Sequence, residues 1–160
     1  IAVAWTGIAS ILLINGRTVH SVFKLPLIIN ETSSSSIELN SSDADYIRNS
    51  ALIIWDEAPM ASKHALDCIN RLLKALMKND LPFGGKTIVL GGDFRQVTPV
   101  IARVSRTHII ENSIKNSSLW PLFRILALRT NMRADPNQIA FAEWLIELGN
   151  GTLKVKILTI

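Results

Sequence analysis

Two acids stand side by side at the end of an apolar run. In "LIIWDEAPM", residues 52–60, Asp56 and Glu57 follow four hydrophobic residues, and Pro59 turns the chain. An unpaired buried charge is costly, so carboxylates at the tip of a buried strand need a cation or a ligand. Two such acids can divide one task, in an arrangement of Walker-B type. The first holds a magnesium ion, which prefers oxygen ligands and keeps waters while bridging phosphates. The second polarises a water for attack on a terminal phosphate. Adjacent strand residues point opposite ways, which predicts separate roles for Asp56 and Glu57. A polar strand end that caps the helix beginning near Ser62 accounts for the pair equally well.

A second cluster follows another apolar run. In "GGDFRQVTPV", residues 91–100, Asp93, Arg95 and Gln96 come directly after two glycines. Arg95 supplies a planar cation and Gln96 both a donor and an acceptor. A neutral amide of that kind can sense a γ-phosphate or orient a water. The words "GGKT" at 84–87 imitate the end of a phosphate-binding loop. That loop would require glycine at position 80, where Asp80 stands, and a helix after the lysine, where a strand begins. Lys86 is therefore expected in a structural turn.

The elements that must position these groups alternate. Apolar runs at 1–5, 52–55, 86–93 and 124–131 read as buried strands. Ser62 reads as the cap of a helix whose stripe is Ala65, Leu66, Ile69, Leu72, Leu73 and Leu76. A later helix takes Asp135 as cap, Pro136 in its first turn, Gln138 in a capping box and Gly149 as its stop. Residues 16–26 read as a turn and a short helical segment ending at Pro26, and residues 30–48 as a serine-rich surface loop. Apolar strands alternating with helices predict an α/β fold, a mostly parallel sheet with helices on both faces. Ligands bind outside the carboxyl ends of such strands, where Asp56, Glu57 and Asp93 would line one rim.

Bulk properties narrow the field. The chain has 160 residues, 48% hydrophobic and 19% charged, enough for one domain with a core. No run approaches the roughly 18 apolar residues of a membrane span. One cysteine, Cys68, excludes an intrachain disulfide and a cysteine-based metal cluster. The net charge of +4 is compatible with a polyanionic partner, but a solvated basic surface gives the same sum. His20 is expected to be a structural hydrogen-bonding residue, Phe23 to sit in the core, and Trp5, Trp55, Trp120 and Trp144 to pack.

Five stretches in order, "NGRTVHSVFKLPL", "IIWDEAPM", "FGGKTIVLGGDFRQVTPVI", "SSLWPLFRILALRTNMR" and "FAEWLIELGNG", resemble the Pif-type DNA helicases. These are superfamily-one enzymes moving 5′ to 3′, and they include the helicase portions of Helitron transposons. The resemblance implies a RecA-like P-loop NTPase fold, with residues 1–151 as part of a first motor domain and 152–160 as a tail of uncertain origin. It implies magnesium at Asp56, the catalytic base at Glu57, and Gln96 near the γ-phosphate. By the same likeness "TNMR" places an arginine finger at Arg133; taken alone, Arg133 reads as a surface arginine. "AWTGIAS" and "GRTVHSVFK" resemble the DNA-contacting motifs, which makes Thr6, Gly7, His20, Ser21 and Lys24 candidates for the single-strand path. The implied ligands are ATP and magnesium. The implied partners are single-stranded DNA and duplex junctions, in the nucleus or the mitochondrion, for repair, recombination, telomere maintenance or transposition.

Intact members also carry a Walker A lysine and a second motor domain, which these 160 residues lack. The chain is thus expected to be an internal fragment of a longer protein, inactive as an ATPase by itself. Two other readings stand beside it: a P-loop phosphohydrolase that does not act on DNA, and a truncated, transposon-derived nucleic-acid-binding module without activity.

Overall fold

A computed structural model describes residues 1–96, 110–128, 131–132 and 138–153. By its internal contacts the chain divides into two units, Ile1–Phe123 and Arg124–Ile160.

The first unit is built on a four-stranded, wholly parallel sheet. Its strands are β1 (Ala2–Ala4), β2 (Arg17–Thr18), β3 (Leu52–Asp56) and β4 (Thr87–Leu90), in the spatial order β2-β1-β3-β4. Parallel neighbours need crossover connections, and helices supply them. Helix α1 (Gly7–Ile11) joins β1 to β2; α2 (Val19–Phe23) and α3 (Ser42–Arg48) lead back to β3; α4 (Lys63–Met77) joins β3 to β4. The chain therefore moves to one side of β1 first and to the other side afterwards. The strand order reverses between β1 and β3, where open α/β sheets leave a crevice at their carboxyl ends.

The sequence explains the core. Ser62 accepts a hydrogen bond from the Ala65 N–H and starts α4, and Lys78 ends it in the left-handed conformation, φ 52°. The predicted stripe from Ala65 to Leu76 is buried against Ile53 and Trp55 of β3, with Val3 of β1 in the same core. Each fully buried Leu or Ile of that stripe contributes roughly 1.5–3 kcal/mol. The opposite face of β3 and β4 carries Leu52, Ile54 and Val89, which are 38%, 41% and 48% exposed.

Several elements differ from expectation. Strand β2 replaces the predicted turn; it has only two residues and leaves no periodic signal. Residues 42–48 form α3 where a loop over 30–48 was expected, because Ser41 caps it and Ala44 and Ile47 are buried. The rest of the serine-rich stretch is pinned to its neighbours. Ser35 Oγ donates to the Phe23 carbonyl at 2.7 Å, and Arg71 donates to the Ser33 carbonyl at 2.6 Å.

The second unit has no strand over 124–128, where one was predicted; Ile125, Leu126 and Leu128 are instead highly exposed. Its helix α5 spans Ile139–Asn150 and ends at Gly151, φ 68°, rather than at Gly149. Gln138 occupies the cap position but makes no side-chain cap bond. Asp135 and Pro136 lie outside the described residues. Trp144, expected to pack, is 43% exposed and stacks on Phe141. Among the described residues no helix is long and apolar enough to cross a membrane.

Candidate functional site

The site is built from the ends of β1, β3 and β4. Strand β3 stops at Asp56, and Glu57 lies beyond it in the left-handed region, φ 52° and ψ 29°. Strand alternation therefore does not separate the two acids, contrary to the sequence reading. A left-handed residue followed by the 3₁₀ turn Ala58–Met60 does so. A side-chain-bearing residue in this region is strained by about 1–2 kcal/mol. The Glu57 N–H donates to Asp56 Oδ1 at 2.9 Å, which fixes the first carboxylate against the turn.

Register brings β1 alongside. Ala4 pairs with Asp56, so Trp5 and Thr6 emerge next to the acids. The Trp5 N–H donates to the Asp56 carbonyl at 3.3 Å. The Thr6 hydroxyl donates to Glu57 Oε2 at 2.8 Å and accepts from the Ala9 N–H at 3.2 Å, so it also caps α1. Sequence reasoning gave Thr6 to the DNA path and missed this bond. The two residues are 51 positions apart, and only the pairing of β1 with β3 joins them.

The glycine pair after β4 closes the other side. The Gly91 N–H donates to the Trp55 carbonyl at 2.8 Å, and the Gly91 carbonyl accepts from the Ala58 N–H at 3.0 Å. A Cβ at Gly91 would lie 3.3 Å from Asp56 Oδ1. At Gly92, φ 143°, it would lie 2.4 Å from Pro59 Cδ. Gly92 is thus required by close approach to the turn that carries the acids, and a Cβ at Gly91 would press on the Asp56 carboxylate.

Asp93 follows on the same edge, but it is engaged within its own turn. Arg95 Nε donates to both Asp93 oxygens, at 2.9 and 3.0 Å, and the Arg95 N–H donates to Oδ1 at 2.9 Å. The side-chain and backbone bonds from Arg95 hold the Asp93 carboxyl below its usual range, with a smaller contribution from the Gln96 side chain. Gln96 is exposed, at the end of the 3₁₀ turn Phe94–Gln96. Phe94 anchors that turn edge-on against Trp120 at 5.7 Å, with Lys115 Nζ 4.0 Å above its ring.

Magnesium suits this edge by the chemistry of its donor. The Asp56 carboxylate is a hard oxygen donor of the kind magnesium takes, half-buried at the strand end, with Oδ1 also accepting the Glu57 N–H. Among the described residues no three His, Cys, Asp or Glu side chains converge, so the donor set is not a carboxylate cage. A single aspartate fits an ion that fills its other positions with water and phosphate oxygens.

The remaining candidates fall into separate places. His20 and Lys24 line one open groove of about 330 Å³ with Leu25, Pro26, Ser34 and Ser36. Burial lowers the His20 pKa, which keeps the ring neutral near pH 7 and removes it as a cation for phosphate. Its ring lies 4.7 Å from that of Trp5, which in turn stacks on Trp55 at 6.3 Å. Lys24 sits 3.6 Å from Asp43, a loose exposed ion pair. The Ser21 hydroxyl accepts from Arg17 at 2.8 Å. Gly7 is exposed, with open space where a Cβ would go. Phe23 is wholly buried, as expected of a core residue. Arg133 lies outside the described residues. Lys86 donates to the Arg48 and Ser50 carbonyls at 2.5 and 2.6 Å, which makes it the structural lysine its sequence context predicts.

Comparisons with known proteins agree in direction. The family model described as PIF1-like helicase matches residues 1–157. The ATP-dependent DNA helicase Pif1 of Psychrobacter sp. (strain PRwf-1) is 35% identical over 102 residues, which cover 62% of this chain and 15% of that protein. The ATP-dependent DNA helicase RRM3 of Saccharomyces cerevisiae is 32% identical over 120 residues, 73% of this chain and 16% of that one. Among solved structures, Pif1 helicase from Bacteroides in complex with ADP-AlF3 and ssDNA superposes with a TM-score of 0.79 at 27% identity, over 96% of this chain and 37% of that one. The chain thus spans about a sixth of the length of these two curated relatives.

Proposed function

This chain belongs to the PIF1-like helicase family, and from that premise we propose that the whole protein couples ATP hydrolysis to 5′-to-3′ unwinding of DNA. The observation that carries this reading is the Asp56–Glu57 turn at the reversal of a parallel sheet, seated on Gly91 and Gly92. Relatives and neighbours support it: two are named ATP-dependent DNA helicases, and one solved structure holds ssDNA with a nucleotide analogue.

Each residue then has a task. Asp56 holds magnesium, which when bound neutralises charge on the nucleotide's phosphates. Glu57 accepts a proton from the attacking water. Gln96, with an amide that both donates and accepts, orients that water or senses the terminal phosphate. Arg133 stabilises charge on the transferring phosphoryl group. Thr6, Gly7, His20, Ser21 and Lys24 line the path of a single strand that leads from duplex junctions. Such a protein works where DNA is kept, in the nucleus or the mitochondrion, in repair, recombination, telomere maintenance or transposition.

The test is ATP turnover of the whole protein with and without single-stranded DNA. DNA should stimulate turnover, and Glu57→Gln should cut it about 10²–10⁴-fold while nucleotide still binds. Turnover indifferent to DNA would favour a phosphohydrolase with another substrate. Wild-type turnover in the Glu57→Gln protein would remove Glu57 from the reaction.

A further inference from the structure

We propose that Thr6 is the positioning residue of Glu57, and that it ties the direction of that carboxylate to the loop leaving β1. This rests on the reading of Glu57 as the base that takes the water's proton.

A threonine hydroxyl has one proton to donate and lone pairs to accept with. At Thr6 the Ala9 N–H points into the oxygen at 3.2 Å, which turns the proton toward Glu57 Oε2, 2.8 Å away. The β-branch restricts the side chain to few rotamers, so the donor direction is set by the backbone of the loop. On the other partner, Glu57 stands in a left-handed conformation beyond the end of β3. Among the described residues the Thr6 hydroxyl donates to this carboxylate.

The same loop reaches the proposed DNA groove. Trp5, adjacent to Thr6, packs its ring 4.7 Å from that of His20, which lines the groove with Lys24. The Trp5 N–H is also bonded to the Asp56 carbonyl at 3.3 Å. A contiguous chain of contacts therefore runs from groove to base: His20, Trp5, Thr6, Glu57. Movement of the loop on strand binding repositions the carboxylate, and a shift of about 1 Å at a reacting group costs roughly 10²-fold in rate.

The cap and the positioning roles can be separated, because aspartate caps a helix as well as threonine does. Thr6→Asp keeps an acceptor for the Ala9 N–H but removes the hydroxyl donor and sets a like charge beside Glu57. In the whole protein, Thr6→Asp should still fold, with its melting temperature lowered by that repulsion and not by loss of the cap. Its kcat for ATP at saturating single-stranded DNA should fall roughly 10²-fold. Thr6→Ser, which restores the donor, should recover kcat to within about threefold of wild type. Recovery of full kcat in Thr6→Asp at saturating DNA would make Thr6 a DNA contact alone and overturn the proposal. So would a Thr6→Ser protein as impaired as Thr6→Asp. Glu57→Gln, assayed alongside, keeps the two readings apart. If it is inactive while Thr6→Asp is active, only the positioning role falls; if it is fully active, both fall.

Discussion

Five described side-chain-bearing residues lie in the left-handed region, Asn15, Lys24, Glu57, Lys78 and Phe83, and two of them, Phe83 and Glu57, sit in turns of opposite character. At Pro82–Gly85 the strained residue is Phe83, φ 54°, 5% exposed in the core. Its N–H donates to Asn70 Oδ1 at 2.7 Å, and Asn79 donates to the Gly84 carbonyl at 3.1 Å. A Cβ at Gly84, φ 61°, would stand 2.4 Å from the Leu73 carbonyl oxygen, so the turn lies hard against α4. Burial and hydrogen bonds offset the strain there. At Glu57 the backbone is equally strained, φ 52°, but the side chain enters no core and meets the Thr6 hydroxyl at the edge of the sheet. At Phe83 the strained residue buries its own side chain, whereas at Glu57 the turn packs on Gly91 and Gly92 and the carboxylate stays at the sheet edge, the kind of place where strain accompanies function.

The largest expected effect comes from removing the two strained side chains in turn. Phe83→Gly loses a buried ring at a cost of roughly 3–5 kcal/mol, only partly recovered by about 1–2 kcal/mol of relieved strain. Glu57→Gly relieves the same strain and loses one part-buried hydrogen bond, two effects of opposite sign, so stability should change by no more than about 1 kcal/mol. Turnover should vanish nonetheless. Chemical denaturation reads the first quantity and ATP hydrolysis the second. Equal destabilisation by both would break the distinction and make Glu57 structural.

A middle-sized effect sharpens the same contrast at Lys86, the lysine that imitates a phosphate binder. Lys86→Met removes two bonds to backbone carbonyls at the end of α3 and should cost roughly 1–3 kcal/mol. Nucleotide affinity of the whole protein should be unchanged. A marked loss of that affinity, with stability retained, would move Lys86 into the site.

The smallest effect is a pH dependence at the third acid. The Asp93 carboxyl is held below its unfolded value of 3.8, chiefly by hydrogen bonds from Arg95. A depressed carboxyl contributes stability that is present above the unfolded pKa and lost as pH falls through the folded one. Stability should therefore decline below pH 3.8 by a small increment that Asp93→Asn abolishes. An unchanged acid slope in that variant would show that the Asp93–Arg95 pair carries no net linkage.

Much of the frame was legible in the residues. The Ala65-to-Leu76 stripe behind Ser62 carries a 3.6-residue period over about three turns, and the runs of β1, β3 and β4 are continuous and apolar. Short elements escaped. Arg17–Thr18 is too brief for any period, and α3 buries only Ala44 and Ile47 beside a serine tract that reads as loop. Residues 124–128 misled in the other direction, since apolar composition alone does not say what will cover it. In the site, the acids announced themselves by type, while their arrangement did not. A period of two extrapolates through Asp56 to Glu57 and cannot see the left-handed residue that ends it. Thr6 needed the order of strands, which no local window contains.

The contact of Gly92 with Pro59 makes a seam that admits no side chain. A methyl group at Gly92 would stand 2.4 Å from Pro59 Cδ, so even alanine there would act as a wedge between the segment leaving β4 and the segment bearing Glu57.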